Sequence, residues 1–228
     1  MSSLPHHIAC ILDGNRRWAR AHGLPTLEGH RRGYDKVKDV ADWCIARGIK
    51  VLTVFAFSTE NWKRTEEEVG YLMNLVEAMF TRDLQELHGR GIRLRVLGGR
   101  DRLRPSILRA LDEAQRVTKD NNKLTLAVCF NYGGHQEILD ACKKMVSDGL
   151  SLDQMDEQAL TSRLYWPDMP PPDLIIRTSG EQRLSGFWLW GCAYAELYWT
   201  ETHWPAFSEV DLDQALAEYA ARQRRYGA

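Results

Sequence analysis

The sequence is poor in the features that mark secreted, nucleic-acid-binding and membrane-spanning proteins. Its five cysteines are odd in number and no two fall within four residues of each other, which argues against a disulfide framework and a CxxC zinc knuckle. Buried thiols in a reducing cytosol are the simpler reading. Lys+Arg 30 against Asp+Glu 31 leaves a formal charge of −1, so there is no basic field for nucleic acid and any anion site must be local. The longest uncharged stretches, such as Leu184 to Ala195, are shorter than the ~18 apolar residues that span a bilayer. Met1 to Leu12 has no basic flank ahead of its apolar run, so no signal peptide is expected. The one proline-rich stretch, Pro167 to Pro172, is too short to link two domains, and no internal repeats occur.

What is present is 228 residues with 44% hydrophobic composition, enough for one domain over residues 1–228 that buries roughly 70% of its unfolded surface. Short apolar or β-branched runs alternate with long amphipathic segments, the pattern of a wound α/β sheet. The strand candidates are His7 to Leu12, Lys50 to Phe57, Ile92 to Leu97, Leu124 to Asn131, Asp173 to Arg177 and Glu196 to Thr200. Helices are expected over Gly29 to Arg47, Thr65 to Gly89, Pro105 to Asn121, Gly134 to Ser147, Asp156 to Leu164 and Ser208 to Arg225. Thr65 to Gly89 carries an apolar stripe wider than one sheet face needs, either deep packing or the lining of a cavity.

Ligands of open α/β sheets bind beyond the carboxyl ends of the strands, and four such places here are chemically rich. Asp13-Gly14-Asn15-Arg16-Arg17-Trp18 follows the first strand: the glycine lets backbone approach a ligand and the arginines suit phosphate oxygens. Asp13 beside a diphosphate would need a cation such as Mg²⁺ between them; as a plain turn residue it would only cap a helix. Phe57 to Arg64 follows the second strand, with Ser58, Thr59 and Asn61 between the aromatics Phe57 and Trp62, and Thr65 to Glu68 reads as a capping box. Arg177 to Ser185 places Arg177, Arg183 and several hydroxyls around Gly180. Glu196 falls in an apolar strand, where a carboxylate needs a metal or a salt bridge to an arginine. His30, after Gly29, reads first as a cap or packing residue. No P-loop, GxGxxG, HExxH or GxSxG motif occurs, and no two aspartates are adjacent.

Taken together, the stretches DGNRRWA at Asp13 to Ala19, GH at Gly29-His30, FAFSTENWKR at Phe55 to Arg64, NYGG at Asn131 to Gly134, DLIIRTSGEQRLSGF at Asp173 to Phe187, AELYWTETHWPAF at Ala195 to Phe207 and RRYG at Arg224 to Gly227 closely resemble the cis-prenyltransferase (undecaprenyl diphosphate synthase) family. The resemblance covers the chain from His7 onward. It implies an α/β domain with a central, mostly parallel six-stranded sheet, helices on its faces and an apolar tunnel for a growing prenyl chain. It implies a cytoplasmic homodimer, peripheral at the inner face of the membrane and touching it only transiently, at product release.

The implied reaction joins isopentenyl diphosphate to an allylic diphosphate, with farnesyl diphosphate the expected starter and Mg²⁺ as cofactor. The resemblance places the allylic diphosphate on Gly14, Asn15, Arg16, Arg17, Trp18, His30 and Arg64, and isopentenyl diphosphate on Arg177, Arg183 and Ser185. It assigns Asp13 and Glu196 to the metal, Ser58, Asn61 and Thr59 to the segment that positions the reacting groups, and Phe57 and Trp62 to the walls of the prenyl chain. Leu72, Leu75, Val76, Met79, Phe80, Ala56 and Leu126 are candidate tunnel linings, with Phe80 a candidate floor. Roughly C50 to C55 is the default product, a short cis product the second choice. Thr26 stands where many relatives carry a phosphate-binding arginine, with Arg16 or Arg31 the candidate replacements. A non-catalytic subunit of a heteromer is the competing class, and the presence of Asp13, Asn15 and Arg17 counts against it.

Overall fold

The computed structural model describes residues 4–222. Six strands form one sheet: β1 (His7–Ile11), β2 (Val51–Ser58), β3 (Ile92–Leu97), β4 (Leu124–Tyr132), β5 (Leu174–Arg177) and β6 (Glu196–Trp199). Their order is β3-β4-β2-β1-β5-β6 and all five pairings are parallel, where the sequence resemblance implied only a mostly parallel sheet. β1 is buried at every position because it lies inside the sheet with both faces covered, which is why it reads as an unbroken apolar run. Alternation still sorts its side chains: Ile8 and Cys10 join one core, Ala9 and Ile11 the other.

The helices are α1 (Asn15–Ala21), α2 (Thr26–Ala46), α3 (Glu66–Phe80), α4 (Leu84–Gly89), α5 (Pro105–Thr118), α6 (Gly134–Ser147), α7 (Glu157–Thr161) and α8 (Glu209–Ala221). No helix among the described residues is long and apolar enough to cross a membrane. Sequence pattern places the six strands to within a residue at either end, but several helical expectations need correction: α5 and α7 end at Thr118 and Thr161, each three residues short of the expected Asn121 and Leu164. α1 is not among the expected helices, because seven residues are too few to show a period. α2 starts three residues earlier than expected, directly after Pro25. The expected single helix Thr65 to Gly89 is two, broken at Thr81–Asp83. The break carries a buried carboxylate to its partners: Asp83 accepts from Tyr34 Oη and pairs with Lys38 Nζ at 2.7 Å and Arg82 Nε at 2.8 Å. The expected last helix ends at Ala221, and the rest of its range, with the RRYG stretch, lies outside the described residues.

The order of the strands changes direction at β1, which is flanked by β2 on one side and β5 on the other. That switch opens a crevice beyond the ends of β1 and β5, into which the Asp13 and Arg177 loops project. Next to it, the register of β2 against β4 shifts at Phe55/Phe57 and again at Phe57/Ser58. Such irregularities re-aim side chains.

Candidate active site

Asp13 leaves the end of β1 and is held from three sides. Its Oδ1 accepts from Gly14 N–H at 2.8 Å, its Oδ2 from Arg177 Nη2 at 2.9 Å, and Arg17 Nη2 lies 3.3 Å from Oδ1. Burial alone would raise the Asp13 pKa, but the Arg177 and Gly14 hydrogen bonds with the Arg177 and Arg17 charges outweigh it and hold the carboxyl below its ordinary value. Gly14 has φ 98°, and a Cβ there would meet Ser179 Oγ at 2.6 Å, so no larger residue fits this turn. Arg177 is the buried hub: besides Asp13, its Nη1 donates to Ser185 Oγ at 2.9 Å and to the Arg183 carbonyl. Its Nε is buried with no hydrogen-bond partner.

A second cluster forms on the facing helices. Glu68, in the first turn of α3, lies 3.0 Å from His30 Nε2, accepts from Arg64 Nη1 at 2.9 Å, and faces Arg16 Nη1 at 3.8 Å. Thr65 Oγ1 caps Glu68 N–H at 3.3 Å, as the TxxE motif suggests. The reciprocal half of that box is replaced, since the Glu68 carboxylate goes to the basic groups instead. Burial lowers the His30 pKa; Glu68 opposes this, and the Arg64 and Arg16 charges add to it. His30 is therefore neutral at neutral pH, and its one N–H, on Nε2, is donated to Glu68.

Both clusters open onto one cavity of about 670 Å³. Its rim carries Asp13, Gly14, Arg16, Arg17, His30, Ser58, Asn61, Arg64, Arg177 and Ser185, while Tyr34, Val37, Val54, Ala56, Leu72, Leu75, Val76 and Met79 line its interior. Charged donors at one end and an aliphatic wall at the other suit a molecule with a polyanionic head and a hydrocarbon tail. Among the described residues no three His, Cys, Asp or Glu side chains gather to hold a metal. Asp13 fits a cation of the Mg²⁺ type, which one carboxylate and substrate phosphates commonly hold.

Residues 11–227 match the family model of undecaprenyl diphosphate synthase. The chain belongs to this prenyltransferase family. It is 45% identical to the isoprenyl transferase of Neisseria gonorrhoeae over 99% of this chain and 90% of that one. Against the isoprenyl transferase of Thermotoga maritima it is again 45% identical, over 98% and 97%. Among solved structures, lavandulyl diphosphate synthase from Lavandula x intermedia in complex with dimethylallyl diphosphate superposes with a TM-score of 0.94 at 35% identity, covering 99% of both chains.

Several residues that prenyltransferase resemblance pointed to stand elsewhere. Glu196 opens β6 level with Leu174, so it sits three residues back from the end that carries Arg177, on the order of 10 Å along the sheet. Its carboxylate accepts from Arg222 Nη1 at 2.9 Å, the salt bridge that was the alternative reading, and within one chain it does not join Asp13. Phe57 is fully buried against Trp62 and Phe130, and neither Phe57 nor Trp62 lines the cavity; the Trp62 indole N–H donates to Asn131 Oδ1 at 2.7 Å. Trp18 stacks on His22, and Thr59 packs against Gly133. Arg183 is 60% exposed and ion-paired to Glu181.

Asn15 reaches the rim, but its side chain turns into the fold and its buried Oδ1 has no hydrogen-bond partner. Its Nδ2 donates to the Leu12 carbonyl at 3.0 Å, and its Oδ1 is pressed where a Cβ at Gly33 would be 2.1 Å away. Phe80 and Leu126 are core residues behind the cavity. Arg31 turns to Glu28 and Asp35, leaving Arg16 as the arginine that reaches the cavity where Thr26 does not. Sequence reading missed Tyr34, Glu68, Glu60 and His135, all in or beside this site. Helical spacing could have found two of them, since Tyr34 is four residues past His30 and Glu68 four past Arg64.

Proposed function

We propose that the chain is a Mg²⁺-dependent cis-prenyltransferase that condenses isopentenyl diphosphate with an allylic diphosphate, farnesyl diphosphate being the expected starter. The carrying observation is the single cavity whose rim gathers two cation-rich clusters and whose interior is aliphatic. Arg16, Arg17 and Arg64 hold the allylic diphosphate at the rim, with His30 beside it giving up its Glu68 contact to take part, and its chain runs inward between α2 and α3. Arg177, Ser185 and the exposed Arg183 bind isopentenyl diphosphate. Asp13 with substrate phosphate oxygens holds Mg²⁺, which when bound neutralises charge on the departing diphosphate.

The arginines stabilise the same developing charge as the C1–O bond breaks. The isopentenyl alkene then attacks C1, a carbon–carbon bond forms, diphosphate leaves, and loss of a proton sets the cis double bond. Asn61 accepts from the Ser58 N–H at 3.0 Å, which fixes its carboxamide and leaves the amide N–H groups to position a substrate. The enzyme works as a cytoplasmic homodimer, and only the insoluble product meets the membrane, as it leaves.

Purified chain incubated with Mg²⁺, isopentenyl diphosphate and, in turn, dimethylallyl, geranyl and farnesyl diphosphates should yield polyprenyl diphosphates, sized by chromatography. No condensation with any starter would overturn the proposal in favour of a non-catalytic subunit. A short product is the second reading. The cavity volume favours it, lying within the roughly 300–1,000 Å³ range of drug-sized ligands rather than that of a C50 to C55 chain.

A further inference from the structure

We propose that Tyr34 is the stop that ends prenyl-chain growth, its ring locked across the inner end of the cavity by the buried carboxylate of Asp83. This rests on the reading of the cavity as the prenyl-chain site. α2 and α3 wall that cavity together, and their contacts give it a direction. His30 near the start of α2 meets Glu68 in the first turn of α3, so that end is the charged rim. One turn further along α2, the Tyr34 hydroxyl donates to Asp83, three residues beyond the last residue of α3. From Glu68 to Phe80, the last residue of α3, the helix rises about 18 Å, and Asp83 N–H turns back to the Ala78 carbonyl at that end. The Tyr34 side chain therefore slants away from the rim toward the far end of α3, past the level of Leu72 and Val76.

The neighbouring wall residues Val37, Leu75, Val76 and Met79 are smaller or unbranched at Cβ: the valines are short, and Leu75 and Met79 can yield by changing rotamer. Tyr34 cannot swing aside without leaving a carboxylate that Lys38 and Arg82 fix in place. Asp83 stays ionised in this setting: burial would raise its pKa, and the hydrogen bonds from Arg82, Lys38 and Tyr34 outweigh that and bring it well below its ordinary value. Phe80, the floor suggested by sequence, does not line the cavity and is 1% exposed in the core behind it.

Tyr34→Ala removes six ring carbons and an oxygen, more than the five-carbon unit added at each condensation. Asp83 keeps Lys38 and Arg82, and the space released joins an existing cavity, so the variant should fold. The experiment uses full-length parent, Tyr34→Ala, Tyr34→Phe and Phe80→Ala with Mg²⁺, farnesyl diphosphate and excess isopentenyl diphosphate, and sizes the dephosphorylated products.

Tyr34→Ala should shift the main product upward by one or more isoprene units. Tyr34→Phe, which keeps the ring and frees it from Asp83, should add a longer tail to the distribution. Phe80→Ala should leave product length unchanged and lower the thermal midpoint. A Tyr34→Ala product of parental length, or equal lengthening by Phe80→Ala, would overturn the assignment. Should Tyr34→Ala not fold, a Tyr34→Phe distribution identical to the parent's overturns the Asp83 lock. A parent that makes no product with any starter fails at the functional reading itself, a result distinct from an active parent whose variants do not lengthen.

Discussion

Two carboxylates serve the same cavity and are treated in opposite ways: Asp13 lines it, and Glu68 stands behind the His30, Arg16 and Arg64 side chains that do. Asp13 has 31% of its side chain exposed, sits at a strand end, and is held ionised by arginines. Glu68 is only 10% exposed, sits on a helix, and is ringed by His30, Arg64 and Arg16. An exposed face on an ionised oxygen lets Asp13 meet a cation from solvent. An enclosed carboxylate cannot; in the proposed mechanism it spaces the two arginines that meet the diphosphate. The same functional group thus does two jobs, decided by depth and by which element carries it.

The contrast breaks most sharply at Asp13. Asp13→Asn keeps an acceptor for Arg177 but loses the charge, so turnover should fall on the order of 10²–10³-fold with the fold intact, read from labelled isopentenyl diphosphate incorporation and circular dichroism. Parental turnover would end the metal assignment.

Next in size is an ionisable group remote from the cavity, which separates stability from activity. His7 lies between the Pro170 carbonyl and Thr53 Oγ1, each 2.8 Å away. The carbonyl can only accept, so Nδ1 carries the proton and Nε2 accepts from the hydroxyl. Burial lowers its pKa to about 4, with the Pro170 hydrogen bond opposing. The unfolded chain then binds more protons than the folded one between its ordinary 6.5 and about 4, so stability falls as pH falls through that window, by ~3 kcal/mol in all. Urea unfolding across the window should show this slope, flattened in His7→Asn. An unchanged slope would move the acid sensitivity to the other buried histidine, His30, whose pKa burial also lowers from 6.5.

Glu68→Gln probes the other half of the comparison. It should raise the Michaelis constant for the allylic substrate about tenfold and leave kcat within about threefold, the signature of lost binding rather than lost chemistry. The reverse pattern would give Glu68 a role like that of Asp13 and erase the distinction. Smallest is Thr26→Arg: with Arg16 already at the rim in its place, a further arginine should lower the same constant only about threefold. A raised constant would mean that the rim has no room for it.

The six strands were legible because parallel strands buried on both faces leave unbroken apolar runs. The clusters at Asp13 and Arg177 were legible because strand ends are where such sheets bind ligands. What stayed hidden depends on contacts distant in sequence. Phe80, Leu84 and Leu87 continue the apolar stripe across Thr81–Asp83, so nothing local announces that Tyr34 and Lys38, over forty residues upstream, draw Asp83 in and break the helix. Likewise Glu196 finds Arg222 only once α8 has packed back along the sheet edge. Phe57 and Trp62 sit in the right motif, yet the β2/β4 irregularity leaves Ala56 lining the cavity and Phe57 in the core.

The central position of β1 also sets an order of events during synthesis. It is the first strand made, but it pairs with β5, and Asp13 is secured by Thr178 Oγ1 and Trp204 N–H donating to its carbonyl at 2.7 and 3.0 Å. A segment made before the other five strands therefore waits for nearly the last of them. A chain cut anywhere before Trp204 carries every residue of the DGNRRWA motif and still has no finished site.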